Sequence, residues 1–351
     1  MASWKCFDRD RRLQLEALSR SGCSKTDMAS ILGCHISTIY RELRRGRCVQ
    51  RDTHLREFYA YSSAVANDGA VARRSNCGAS LKLDSFPDLA AFIDNKIRVE
   101  KYSPAAVAHV LRASGGAYLC KDSIYRYIHR KYFDRLRASH LPMKGIRRAP
   151  KERKKRNTQP RYGNSIEKRP LSVASRDTFG HWEMDSVVGS RSGVGETLLV
   201  LTERKTRFEL IFKVPSKESA STVSVLDYLQ RRCAFRQIFK TITMDNGVEF
   251  ANSRRLERDK SGRRRTYCFY CHPYTSCERG SNENNNRLIR RWFRKGQSLR
   301  NVTQGDAVRV ARWMNNYPRA ILGWKTATEN FISCCEAEGI KISPYFSQFL
   351  S

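Results

Sequence analysis

Between Lys144 and Arg161 the chain carries a run dense in Lys and Arg, punctuated by Pro150 and Pro160. Such a stretch cannot bury a core and is expected as an extended, solvated connector able to track phosphates. Folded structure must therefore lie on either side of it, and the two sides carry different patterns. Before the connector, apolar residues recur at helical spacing. After about Thr178, runs of strand-forming residues appear. At 351 residues the chain is long enough for two or three domains. The expected division is a helical module over 1–50, a second helical module over 51–140, a basic linker over 141–175, an α/β domain over 176–340, and a tail over 341–351.

The connector is the densest part of a wider bias. Lys and Arg number 66 against 34 Asp and Glu, a formal charge of +32. So one-sided an excess opposes compaction unless a polyanion neutralises it, and nucleic acid rewards the binding through counterion release. An anionic membrane surface is the rival partner. No apolar run of about 18 residues is present to span a bilayer, and Met1-Ala2-Ser3-Trp4-Lys5 lacks an apolar signal core. A cytoplasmic location is expected. The 12 cysteines are then expected to be reduced thiols. Cys268-x-x-Cys271-His272, with Cys277 beyond, approaches a zinc pattern, but no second pair follows at the required spacing. No structural zinc is expected.

Residues 8–46 read as three short helices. Gly22 can end the first, and Ser24 can cap the second through its hydroxyl. Met28, Ala29 and Leu32 share one face, Gly33 permits a tight turn, and Ile36, Ile39, Tyr40 and Leu43 follow at helical spacing. This is helix-turn-helix spacing, with the small residues allowing close crossing. The outward face of the third helix then carries Ser37, Thr38, Arg41, Arg44 and Arg45, side chains able to touch base edges and phosphates. A second copy follows. Ser103-Pro104 opens a helix, Ser114-Gly115-Gly116 breaks it, and Ser123-Ile124-Tyr125-Arg126 echoes Thr38-Ile39-Tyr40-Arg41. Ser123 and Arg126 are its candidate DNA contacts. An ordinary packing helix is the other reading of this segment.

Beyond the connector, strands are expected over Phe179–Val188, Thr197–Thr202, Arg207–Val214 and Ile238–Met244. Helices are expected over Lys217–Cys233, Asn282–Arg294, Gln304–Asn315 and Thr328–Glu338. The order suggests an α/β layer with a mixed sheet. Asp185 falls inside an otherwise apolar strand, a costly place unless it faces a functional edge or a metal. Asp245 ends another strand, a favoured site position in α/β folds. Glu283 enters a helix whose apolar side is Leu288, Ile289 and Trp292, while Arg287, Arg290 and Arg294 share the acid's face and are candidate phosphate contacts. Taken alone, Glu283 also reads as a first-turn acid favoured by the helix dipole. Phosphodiester chemistry with two divalent cations needs such converging carboxylates. Glu278 is the rival third acid, Glu249 reads as structural, and Glu183 is expected to face away from Asp185.

Taken in order, these blocks resemble the DDE transposases of bacterial insertion sequences, of the insertion-sequence-thirty type. The resemblance rests on Ser37-Thr38-Ile39-Tyr40-Arg41-Glu42-Leu43, Trp182-Glu183-x-Asp185, Glu203-Arg204-Lys205-Thr206-Arg207 and Asp245-Asn246-Gly247-x-Glu249-Phe250. It continues through Pro273-Tyr274, Gly280-x-Asn282-Glu283-Asn284 and Lys295-Gly296, and it covers nearly the whole chain. It implies all-α helix-turn-helix modules before an RNase H-like, integrase-type α/β core, with Asp185, Asp245 and Glu283 as catalytic, metal-binding triad. It implies two Mg²⁺ ions, with Mn²⁺ able to substitute. The implied activity is binding of the element's terminal inverted repeats, strand cleavage with water, and attack of the freed 3′-hydroxyl on target DNA. Two ends must be brought together, so a homo-oligomer in the synaptic complex is expected, in the bacterial cytoplasm at the nucleoid and without membrane contact. Arg287 and Arg294 depart from the Gly and Pro common in the family, and Asn316-Tyr317-Pro318-Arg319 replaces an Arg-Pro-Arg run. The competing reading is a non-catalytic, sequence-specific DNA-binding protein, a decayed transposase or a repressor.

Overall fold

The computed structural model describes residues 7–75, 77, 81–142, 162–189, 195–272 and 280–350, the side chains of 280–283 excepted. The Lys144–Arg161 connector lies outside them. Contacts divide the chain into two compact units, Met1–Ser85 and Phe86–Ser351.

In the first unit, α1 (Arg9–Arg20), α2 (Lys25–Ile31) and α3 (Ile36–Arg45) follow the expected spacing. Ser24 Oγ accepts from the Asp27 amide at 3.1 Å to start α2. Gly33 takes φ of +60° in the turn before α3, a conformation that favours glycine. Leu15, Met28, Ala29, Leu32 and Ile39 form the core. A buried ion pair joins α1 to α3, Arg12 Nε to Glu42 Oε1 at 2.6 Å. The chain then forms an antiparallel hairpin, β1 (Arg47–Arg51) and β2 (Glu57–Tyr61), followed by α4 (Ser63–Ser75) and a short α5 (Lys82–Ser85). The hairpin was not anticipated, because its exposed strands lack the apolar alternation that marks a half-buried one.

The second unit opens with α6 (Pro87–Asp94), prolonged by a π-helical turn over Asn95–Val99, then α7 (Pro104–Ala113) and α8 (Lys121–His129). Ser103 caps α7, its Oγ accepting from the Ala106 amide at 3.3 Å. Val107, Leu111, Ile124 and Ile128 are buried. Beyond the connector come β3 (Asn164–Ser165), α9 (Leu171–Ala174), β4 (His181–Val188), β5 (Thr197–Glu203), β6 (Glu209–Val214), α10 (Ser219–Gln230) and α11 (Phe235–Ile238). The chain continues with β7 (Thr241–Met244), α12 (Ser253–Glu257), β8 (Tyr267–Tyr270), α13 (Gly280–Ile289), α14 (Gln304–Asn315), α15 (Ala327–Ala337) and α16 (Ser347–Leu350).

Six of these strands form one mixed sheet in the order β3-β8-β7-β4-β5-β6. β4, β5 and β6 are an antiparallel meander, while β7 runs parallel to both β4 and β8. Every residue of β5 is buried, as expected of a strand covered on both faces. The apolar core gathers Trp182, Phe208, Phe239, Phe331 and Phe346, with Phe208 stacked on Phe331 at 4.1 Å. Cys268 and Cys271 are buried at β8. No helix among the described residues is long and apolar enough to cross a membrane.

The helices before the connector are fastened to those after the sheet. Trp313 Nε1 donates to the Glu100 carbonyl at 2.7 Å, and the Ser103 amide donates to Tyr317 Oη at 3.2 Å. Tyr102 packs against Tyr317 with ring centroids 4.9 Å apart. A second helical stretch that reads in sequence as separate is thus part of the sheet-bearing unit.

Candidate active site

β4, which carries Asp185, lies between antiparallel β5 and parallel β7. The register pairs Glu183 with Thr243, and two residues further along each chain stand Asp185 and Asp245. Neighbouring strands run about 4.8 Å apart, so the parallel pairing brings the backbone of these two segments, far apart in sequence, to the same edge of the sheet. Asp245 is held by the turn it opens, its Oδ1 accepting from the Gly247 amide at 2.9 Å. Asn246 Nδ2 donates to the Cys271 carbonyl at 2.5 Å and ties that turn to the end of β8.

Helix α13 crosses the same face of the sheet. Asn286 Nδ2 donates to Asp185 Oδ2 at 2.7 Å, and Asn285 Nδ2 donates to Thr202 Oγ1 at 3.2 Å. Leu288 and Ile289 are buried behind them. Glu283 stands near the start of α13, three residues before Asn286. Its side chain lies outside the described residues, as does Glu278. Asn286 Oδ1 is buried without a hydrogen-bond partner. An amide oxygen is, like a carboxylate, a donor that a hard divalent cation accepts. Among the described residues no group of three or more His, Cys, Asp and Glu gathers as a metal would require.

The expectation that Glu183 faces away from Asp185 is corrected by the strand's own period. Residues two apart share a face, and Glu183 lies deeper on it, fully buried and paired with Arg204 at 2.9 Å. Glu249 turns into the loop after Asp245, 3.5 Å from Lys217 Nζ and almost wholly buried. Asn285 rests on a further polar layer absent from the sequence reading. Arg319 Nη1 donates to Asn285 Oδ1 at 3.1 Å. Asn315 grips the backbone of Glu209 from both sides, at 2.8 and 3.0 Å. Burial pushes the Glu209 pKa up to about 8, against the pull of Arg319. The available sequence signal was the run Asn284-Asn285-Asn286, which repeats amides where a helix more often carries Ala or Leu.

The candidate DNA contacts fall in several places. Ser37, Arg41, Arg44 and Arg45 are exposed along α3, with Thr38 half-buried. Arg41 Nε donates back to the Ser37 carbonyl at 3.2 Å, and Arg45 reaches Glu42 at 3.3 Å. On α8, Arg126 is exposed, whereas Ser123 is half-buried with its Oγ 3.2 Å from Cys120 Sγ. Helix α13 ends at Ile289, so the expected extension to Arg294 does not form. Arg287 and Arg294 are exposed, but Arg290 is half-buried and donates to the Val188 carbonyl at 2.7 Å.

No family model matches the chain. Individual relatives do. It is 30% identical to the probable transposase for insertion-like sequence element IS1161 of Streptococcus salivarius, over 94% of this chain and 95% of that protein. It is 28% identical to the transposase for insertion sequence element IS4351 of Bacteroides fragilis, over 93% and 95% of the two chains. The transposase InsI for insertion sequence element IS30C of Escherichia coli K12 is 30% identical over 86% of this chain and 77% of its own. With identity of this order sustained across almost the whole length, the chain belongs to the IS30-type family of insertion-sequence transposases.

Proposed function

We propose that this transposase binds the ends of its insertion sequence and carries out metal-dependent strand cleavage and strand transfer at Asp185, Asp245 and Glu283. The observation that carries the reading is the convergence around Asp185. Asp245 directly follows the neighbouring parallel strand, two positions past Thr243 as Asp185 is past its partner Glu183, and Asn286, one turn from Glu283, hydrogen-bonds the Asp185 carboxylate. Two Mg²⁺ ions held by the three carboxylates would supply the charge that activates the attacking oxygen and steadies the leaving one. The protein's own share is positioning. Asn286 fixes the Asp185 carboxylate, Gly247 fixes that of Asp245, and Asn285 locks the helix to the sheet. In this reading the six-stranded sheet is an RNase H-like core. Helices α2 and α3 form a helix-turn-helix that presents Ser37, Thr38, Arg41, Arg44 and Arg45 to a major groove. α7 and α8, with Ser123 and Arg126, form a second module, and Arg287, Arg290 and Arg294 lie along the strand near the reacting phosphate. Two ends in one reaction call for more than one copy of the chain.

The test is Mg²⁺-dependent nicking and joining of a labelled duplex carrying the element's end, comparing wild type with Glu283→Gln. Cleavage by wild type alone, with binding by both, supports the triad. Equal cleavage by both would remove Glu283 from it, and binding without cleavage by either would leave a DNA-binding protein.

A further inference from the structure

On the flank of α13 turned away from Asn286 lies a cavity of 360 Å³. Asn284, Leu288 and Arg291 border it at i, i+4 and i+7 of the chain. Four guanidinium groups converge there, from Arg176, Arg207, Arg291 and Arg319, and no acid is among the described lining residues. Arg319 donates to Asn285 Oδ1 and to the Met314 carbonyl, both at 3.1 Å, and Arg291 donates to the Lys101 carbonyl at 2.6 Å. All of these acceptors are uncharged, and the Nε atoms of Arg291 and Arg319 are buried without a partner. Burial and then the charge of Arg176 push the Arg207 pKa down, and burial with a smaller push from Arg291 lowers that of Arg319, while Glu209 behind the cavity pulls both the other way and Glu183 does so for Arg207. Like charges gathered this way repel unless an anion sits among them.

The backbone around the cavity points the same way. Six non-glycine residues among those described have positive φ, and three of them line this one space: Arg176 and Arg207 at +65° and Trp324 at +68°. Such conformations are unfavourable for L-residues and cluster where a ligand is held. The opposite wall is apolar. Trp324 is stacked on His109, centroids 4.6 Å apart and planes within 4°, and Ile321 stands 71% exposed at the rim. A volume of this order suits a ligand of nucleotide size.

We propose that the cavity takes one nucleotide of the bound DNA strand, its phosphate against Arg176, Arg207 and Arg319 and its sugar and base along Trp324 and Ile321. The assignment rests on the reading of the protein as a DNA-processing enzyme. Free inorganic phosphate shares the recognising chemistry, so the experiment separates the two sources.

The full-length chain is compared with Arg176→Gln, which removes a charge that makes no hydrogen bond or ion pair with any described residue, and with Ile321→Glu, which sets a carboxylate at the exposed rim. Melting temperature is measured with and without inorganic phosphate. Affinity for a fluorescein-labelled duplex is measured across a salt series. Each variant should melt at or above wild type, because repulsion is relieved. Each should bind the duplex about 5–10-fold more weakly, with the slope of log affinity against log salt reduced by about one. Unchanged affinity and slope in both variants would overturn the proposal, and nicking by wild type in the same preparations would leave the transposase reading standing. If phosphate raises the wild-type melting temperature while the DNA slopes stay equal, the cavity holds a free anion and the nucleotide assignment fails. Melting of both variants far below wild type would make the arginines structural and also overturn it.

Discussion

The carboxylate of Asp185 accepts a hydrogen bond from a neutral amide, and that choice of residue has consequences. Asn286 gives its Nδ2 to Asp185 and leaves its own Oδ1 buried without a partner. A Leu of similar size would remove both groups while keeping the packing of α13. Partners that orient a metal-binding carboxylate typically contribute 10–100-fold to activity. Asn286→Leu is therefore expected to lower Mg²⁺-dependent nicking by about 10–100-fold while duplex affinity stays within about twofold. Equal loss of binding would mean that the helix had moved. A second residue ties stability to pH. Burial, and next the charges of Lys240 and Arg204, hold the His181 pKa down from 6.5 to about 4. Because its folded pKa is depressed, the ring stays neutral in the native state. Its contribution is complete above the unfolded value near 6.5 and is lost as pH falls through about 4. The loss is at most about 3 kcal/mol. Denaturant melts at pH 7.5 and pH 4.5 should show a smaller difference for His181→Gln than for wild type. An identical difference would place the titration elsewhere.

At the scale of elements, the two ends of the strand–helix pair that makes the site are anchored differently. The N-terminal half of α13 is held through Asn285 and Asn286. Past its end the chain turns back, and the Gly296 amide donates to the Gly189 carbonyl at 2.9 Å, just beyond β4. Gly296 has φ of +88°, and a Cβ on Gly189 would meet the Gln297 carbonyl oxygen at 2.5 Å. The Lys295-Gly296 pair thus serves to close the segment after α13 onto the strand that bears Asp185. Gly296→Ala should cost about 1–2 kcal/mol and lower nicking more than duplex binding; an unchanged melting temperature and activity would refute this role. Much of this architecture was legible in the sequence. Apolar periodicity marked α1 to α3, α7, α8 and α14, because those helices bury one clear face, and short runs of strand-forming residues marked β4 to β6, which are buried on both faces or nearly so. The acids Asp185 and Asp245 stood out because carboxylates are costly at such strand positions. The length of α13 was misread because Arg290, Trp292 and Phe293 continue a helical pattern, while the turn that breaks it is fixed by tertiary bonds to Val188 and Gly189. The layer of Thr202, Glu209, Asn315 and Arg319 was invisible because its members meet only across the fold. β1, β2 and the short β8 lack a pattern long enough to distinguish from loop.

For the whole molecule, the two units are internally held together by different means. Unit Met1–Ser85 owns a core of Leu15, Met28, Leu32, Ile39, Tyr61 and Ala66, and its ion pair from Arg12 to Glu42 is internal. It has what a small domain needs to fold alone, and it carries the exposed arginines of α3. The stretch from Phe86 to His140 does not. Its end before α7 is fixed by Trp313 and Tyr317, residues some two hundred positions later: Trp313 on the Glu100 carbonyl, Tyr317 on Ser103, and both rings against Tyr102. Removing the sheet would expose Tyr102 and leave the buried faces of Val107 and Leu111 with only α8 and the preceding helix to cover them. A fragment ending at His140 should therefore behave as a folded unit followed by a loose helical tail. Limited proteolysis is expected to leave a resistant core ending near Ser85, and amides of residues 86–140 should exchange at least about tenfold faster than in the full chain. The core alone should still bind duplex DNA with an affinity that falls steeply with salt. Protection of residues 86–140 equal to that in the full chain would show that this helical stretch is a domain in its own right, and that the tyrosine and tryptophan contacts merely dock it.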